Sequence, residues 1–318
     1  MKKRQGGSIS MSKIHITAAI TGAIHTPTLS EHLPVTEQEI IDQAVGAWEA
    51  GAAVVHIHAR DPKTGKPSVD KETLKTIVSG IKERCDVVIC VTTGAGLGMS
   101  IEERVSGVPL LQPEIASCNA GSFNFYIAPI AGKLTNPKFD WELPYVENTE
   151  DLVFSNTFRG ISQYVTTMYE HGTLPEFEVY DVGMINNIKY LRDKGVIRGV
   201  IYIQFVMGIM GGLPATVDNL AYMNKTAREL LGEGTYVWSC AAAGRNQFKL
   251  VPAAIAMGGN ARVGLEDNLY LRPGVLAKSN AEQVEQIRRI AELMGYGIDT
   301  PAEVRQKLKL KGGDKVNF

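Results

Sequence analysis

The sequence predicts an α/β fold, a closed (β/α)8 (TIM) barrel, from three observations. Eight short apolar stretches of strand length alternate with stretches whose apolar residues recur at helical spacing. The strand stretches are almost continuously apolar, the pattern of strands buried on both faces of a parallel sheet. Eight alternations over 318 residues suit a closed barrel better than an open, doubly wound sheet. The length would also allow two domains of about 150 residues. No internal repeat or low-complexity linker divides the chain, so residues 13–318 read as one barrel domain behind a polar tail, residues 1–12.

In order, Ile14 to Ile20 is apolar and β-prone and forms the first strand. Thr36 then caps a helix, with Glu39 as its capping-box partner, and Ile40, Ile41, Ala44, Val45 and Trp48 lie on one face up to Gly51. Ala53 to Asp61 is the second strand and ends in His56 and His58. A helix over 70–84 leads to the third strand, Asp86 to Thr93, which runs into the loop 94–98. A short helix near 101–106 precedes the fourth strand, Glu114 to Asn119. Residues 120–149 are irregular, with three prolines; a segment that long in a compact barrel is expected to be functional. A helix at 157–172, the fifth strand at 176–182, a helix at 184–194 and the sixth strand at 200–206 follow. Then come a helix at 216–231, the seventh strand at 236–240, a helix at 247–257 and the eighth strand at 261–265. Helices at 280–295 and 301–310 end the chain.

Composition narrows the function. A net charge of −1 gives no electrostatic reason to expect nucleic acid or an anionic membrane as partner. No apolar run approaches the ~20 residues of a membrane span, and no signal-peptide core follows the basic N-terminus, so the cytoplasm is the expected address. The four cysteines form no CxxC pair and read as buried free thiols, a reading favoured over the alternative that Cys240, at a strand end, lines a site.

In such barrels chemistry sits at the C-terminal strand ends. His56 and His58, two apart on a strand, point the same way, and a neutral imidazole is a good ligand for zinc and similar divalent metals. Closure puts the eighth strand beside the first, which brings Glu266 within reach. A His2Glu set with open positions is a catalytic arrangement. The plainer reading has the histidines bonded to ordinary partners and Glu266 paired with Arg262. Asp267 is either a general base tuned by Arg262 or the cap of the following turn; both acids face inward only if the strand bends there. Arg245 either holds a phosphate after the seventh strand or lies free on the surface.

Several segments together resemble the β-keto acid cleavage enzymes, typified by 3-keto-5-aminohexanoate cleavage enzyme. They are Thr17–Ala23, His56-Ile57-His58-Ala59-Arg60, Asn119–Phe125, Pro175–Tyr180 and Arg262-Val263-Gly264-Leu265-Glu266-Asp267-Asn268. The resemblance implies a zinc barrel that condenses a β-keto acid with acetyl-CoA to give acetoacetate and a new acyl-CoA. It implies His56, His58 and Glu266 as metal ligands, Asp267 as base, and Arg262 and Glu178 as tuning groups. Thr92 and Ser122 would hold substrate oxygens. It also implies a homo-oligomer, typically a tetramer. Ile24 stands where lysine-fermentation members carry an acid that meets an amino group, so the keto acid here should have an uncharged or anionic side chain, with His25 or Arg60 as its partner. A metal-dependent aldolase working without CoA and a non-catalytic metal-dependent binder remain as alternatives.

Overall fold

The computed structural model describes residues 12–94 and 99–318; the expected polar tail, but for Ser12, and residues 95–98 of the loop after the third strand lie outside it. The eight barrel strands are β1 (Ile16–Ala19), β2 (Val54–Ile57), β3 (Val88–Val91), β4 (Ile115–Asn119), β5 (Leu174–Val179), β6 (Ile201–Met207), β7 (Tyr236–Ala242) and β8 (Asn260–Val263). All pair in parallel, each with its neighbours in sequence, and β8 closes on β1 with Arg262 opposite Thr17. The (β/α)8 barrel expected from the sequence is therefore the fold.

The outer layer consists of α1 (Glu37–Ala50), α2 (Lys71–Arg84), the short α3 (Ile101–Val105) and α4 (Gly107–Leu111), α5 (Glu142–Glu147), α6 (Phe158–Glu170), α7 (Val182–Asp193), α8 (Val217–Leu231), α9 (Gln247–Ala256), α10 (Asn280–Leu293) and α11 (Pro301–Leu308). Local chemistry sets their ends. Thr36 and Glu39 form the expected capping box of α1, and Gly51 ends that helix at φ +119°, a conformation that costs a side chain strain. Asp181 caps α7 by accepting the Gly183 N–H, so it serves the helix and not the barrel mouth. Strands and helices interleave two large apolar clusters, one around β4–β7 and one around β8 and β1–β3. Val304 and Leu308 of α11 join Val54, Val88, Ile115 and Tyr202 and close the floor of the barrel. The open end is the C-terminal one. Among the described residues no helix is long and apolar enough to cross a membrane.

Two departures from the sequence expectation bear on the site. The stretch 120–149 is not irregular: it holds α5, two 3-10 turns and a short strand, Phe123–Asn124, paired with Val153–Phe154, and it roofs part of the mouth. The eighth strand stops at Val263 instead of Leu265. Gly264 adopts φ +150°, and any Cβ there would lie 2.1 Å from the Ala19 carbonyl oxygen. The chain turns, and the amides of Asp267 and Asn268 both donate to the Gly264 carbonyl.

Candidate active site

That turn meets the condition set by strand alternation: Glu266 and Asp267, adjacent in sequence, both reach the barrel mouth. Glu266 Oε1 lies 3.7 Å from His56 Nε2 and 3.6 Å from His58 Nε2, and the two Nε2 atoms are 3.1 Å apart. Three ligand atoms around one cation with bonds of about 2.1 Å would be separated by about 3.4 Å in tetrahedral geometry, so the spacing fits a zinc-like ion. The chemistry fits too: two nitrogens and a carboxylate oxygen converge, while His58 Nδ1 and Glu266 Oε2 are buried without a partner. Gly22 makes room for this carboxylate, since a Cβ there would sit 2.2 Å from Glu266 Cγ.

Arg262 organises the acids. Its Nη2 donates to Glu266 Oε1 at 2.7 Å and to Asp267 Oδ1 at 3.0 Å; its Nε donates to Asp267 Oδ2 at 2.9 Å; its Nη1 lies 3.5 Å from Glu178 Oε1. The pairing of Glu266 with Arg262 and its approach to both histidines therefore coexist. Burial raises the Glu266 carboxyl, but Arg262 and the two histidines outweigh it and hold it well below the usual range. Burial wins at Asp267, whose carboxyl sits above its ordinary value despite Arg262, and at Glu178. A buried base raised toward neutrality is better matched to proton abstraction. The turn reading of Asp267 does not hold for its side chain: Asn268 does that work, accepting from the Tyr270 N–H at 3.1 Å. Burial also holds the His56 imidazole well below its ordinary value, which keeps it in its metal-binding, neutral form.

His56 is supported from beneath. Its Nδ1 lies 3.4 Å from Cys90 Sγ, and that thiol lies 3.7 Å from Glu176 Oε1 inside the barrel. Burial drives the Glu176 carboxyl up to about 7. Neither residue was singled out from sequence for this role. A strand cysteine signals nothing until the pairing of β2 with β3 sets His56 opposite Cys90.

The mouth opens into a cavity of about 870 Å3, large enough for a small acid together with part of a second substrate. Thr92, Ile24, Glu178, Arg245 and the metal-ligand set all line it. Thr92 Oγ1 accepts from the Gly94 N–H at 2.9 Å. Asn119, the first residue of the Asn119–Phe125 segment and given no role there, is fully buried against the cavity, with both amide atoms unpartnered among the described residues. Its place at the end of an apolar strand was a further sequence signal.

Two expectations shift, those for Ser122 and Arg60, while Cys240 is the buried free thiol expected. Ser122 does not line the cavity: it is exposed just past β4, and its Oγ accepts the Asn156 N–H at 2.7 Å. Arg60 is fully buried and spent on its own chain, donating to Thr21 Oγ1 and to the carbonyls of Thr21, Gly22, His25 and Gly65. It cannot meet a substrate. Cys240 is buried and does not line the cavity.

Residues 13–310 match the family model of the beta-keto acid cleavage enzymes. The chain is 45% identical to a protein of Paraburkholderia graminis named 3,5-dioxohexanoate:acetyl-CoA acetone transferase, over 96% of this chain and 98% of that protein. It is 37% identical to the 3-keto-5-aminohexanoate cleavage enzyme of Fusobacterium nucleatum, over 95% and 99%. Among solved structures, apo ObcA superposes with a TM-score of 0.70 at 20% identity, over 88% of this chain and 66% of that one, a likeness of fold. The barrel, the converging His56, His58 and Glu266, and a match along nearly the whole chain lead to one assignment: the protein belongs to the β-keto acid cleavage enzyme family and is an enzyme that uses acetyl-CoA as co-substrate.

Proposed function

We propose that the enzyme is zinc-dependent, with His56, His58 and Glu266 as ligands and Asp267 as general base, and that it acts on a β-keto acid with an uncharged side chain. The observation that carries this is the convergence of Glu266 and Asp267 on Arg262 directly beside two histidine nitrogens. A bound divalent ion would supply Lewis-acid stabilisation of negative charge at the keto oxygen. Asp267 takes a proton from the carbon between ketone and carboxylate. That carbon attacks the thioester carbonyl of acetyl-CoA, a C–C bond forms and CoA thiolate leaves. The thiolate adds to the original ketone, and the bond from that ketone to the central carbon breaks. Acyl-CoA departs, and acetoacetate recovers the proton from Asp267. Arg262 holds Asp267 in place throughout, and Glu178 steadies Arg262 from the far side. Thr92 and Asn119 both line the cavity, and there they bind the substrate carboxylate.

The lining argues against a cationic side chain, leaving an uncharged or anionic one. Its carboxylates are Glu178, Glu266 and Asp267, all engaged by Arg262, and Ile24 offers no charge. An ammonium group would find no free acid. The 45% identity to an enzyme named for 3,5-dioxohexanoate favours the uncharged one. The test is a panel of β-keto acids with acetyl-CoA, reading acetoacetate. Asp267→Asn should lower kcat by about 10²–10⁴-fold with metal content unchanged. Acetoacetate from none of the acids, with metal bound, would sink the proposal.

A further inference from the structure

Buried polar atoms without partners among the described residues gather at this cavity: besides His58, Asn119, Arg262 and Glu266, both ring nitrogens of His25 are shut from solvent and lack a hydrogen-bond partner within 3.5 Å, though the Asp267 backbone lies near. The first four belong to the machinery described above. His25 has no such role, and a loop imidazole costs free energy when both nitrogens are buried unsatisfied. The loop holding it is not slack. Arg60 Nη2 donates to the carbonyls of Thr21 and Gly22 and, at 2.8 Å, to that of His25 itself, while Tyr145 donates to the Ala23 carbonyl at 3.0 Å. The ring is therefore presented in a fixed position among apolar neighbours, with Ile24 next to it packed on the Ile127–Val146 cluster.

We infer that His25 is a specificity-determining residue that hydrogen-bonds an oxygen on the keto acid's side chain, a second carbonyl or a hydroxyl. The inference rests on the reaction proposed above and adds the chemistry of the side chain it selects. Burial first, and Arg60 second, push the His25 imidazole down to about 4, so at neutral pH it is uncharged, with one N–H to donate. Arg60 and Lys133 help hold it neutral against the pull of Glu266, and the same two cations oppose an ammonium at that spot. An oxygen accepting from the ring removes the unsatisfied donor; a plain alkyl chain leaves it buried and unpaired, and such sites discriminate strongly against the analogue lacking the polar atom.

The experiment compares kcat/KM for 3,5-dioxohexanoate and 3-oxohexanoate, with acetyl-CoA, in wild type, His25→Phe and His25→Gln, each checked for metal content. Wild type should prefer the dioxo acid. In His25→Phe that preference should shrink about tenfold, through KM for the keto acid, the scale of one neutral hydrogen bond. His25→Gln, which keeps a donor, should restore much of it. If His25→Phe fails to hold metal, His25→Leu carries the same comparison. An unchanged preference, an equal loss on both acids, or a loss confined to KM for acetyl-CoA overturns the inference alone. No acetoacetate from either acid with wild type overturns the reaction, and the inference with it.

Discussion

Cys90 shows how much a single residue can contribute without touching substrate. A metal-bound imidazole must carry its proton on the other nitrogen, and for His56 that nitrogen faces only a thiol, backed by Glu176. Such supporting partners typically set metal affinity within about 10–100-fold. Cys90→Ala should therefore weaken zinc binding roughly by that factor, and Cys90→Ser should recover part of it, read by competition with a chromophoric chelator. Equal affinity in all three proteins would remove Cys90 from the metal's support. Sequence motifs displayed the proposed ligands because His56, His58 and Glu266 carry unusual chemistry at strand ends. They did not display Cys90, because which way an ordinary residue faces depends on the barrel's register. The same limit misplaced Ser122: three residues past the end of β4, direction is set by the loop.

Among elements, β8 matters most for being short. A strand continuing to Leu265 would send Glu266 and Asp267 to opposite faces. Gly264 breaks it, with its backbone close against Ala19. Gly264→Ala adds a Cβ where only 2.1 Å separates it from a carbonyl oxygen. It should cost stability, by about 1–3 kcal/mol for the backbone conformation alone, and should displace the acids, lowering both metal content and turnover. Loss of stability with intact metal affinity would show that the bend is not what aims the acids. The alternation rule raised this bend as a requirement, though the apolar run itself reads straight through it. The loop after β1 follows a similar logic, since Arg60 spends every donor nitrogen on holding residues 21–25 and Gly65. From sequence an arginine beside HxH looks like a substrate group, because burial is invisible there.

Over the whole molecule, the fold was legible because it is repeated: eight apolar strands alternating with helices leave few closed arrangements, and floor and mouth follow from chain direction. The 120–149 segment was not, since its short elements are held by contacts with the mouth and not by their own periodicity. Net charge is −1, so the molecule as a whole neither draws nor repels an anion strongly. The mouth differs. Around Arg262 the cluster of Glu178, Glu266 and Asp267, with all three ionised, sets three negative charges against one positive and leaves two uncancelled within it, while Lys133 and Arg245 line the same cavity. A divalent ion balances them. A keto acid is an anion, and at a demetallated mouth it meets repulsion at short range in a poorly screened cavity. Calorimetric titration of the chelated protein with keto acid should show affinity lowered at least about tenfold, with little relief from salt; unchanged affinity would contradict this. Such a result would mean loading in a compulsory order, ion before acid, an order imposed by charge balance and needing no moving part.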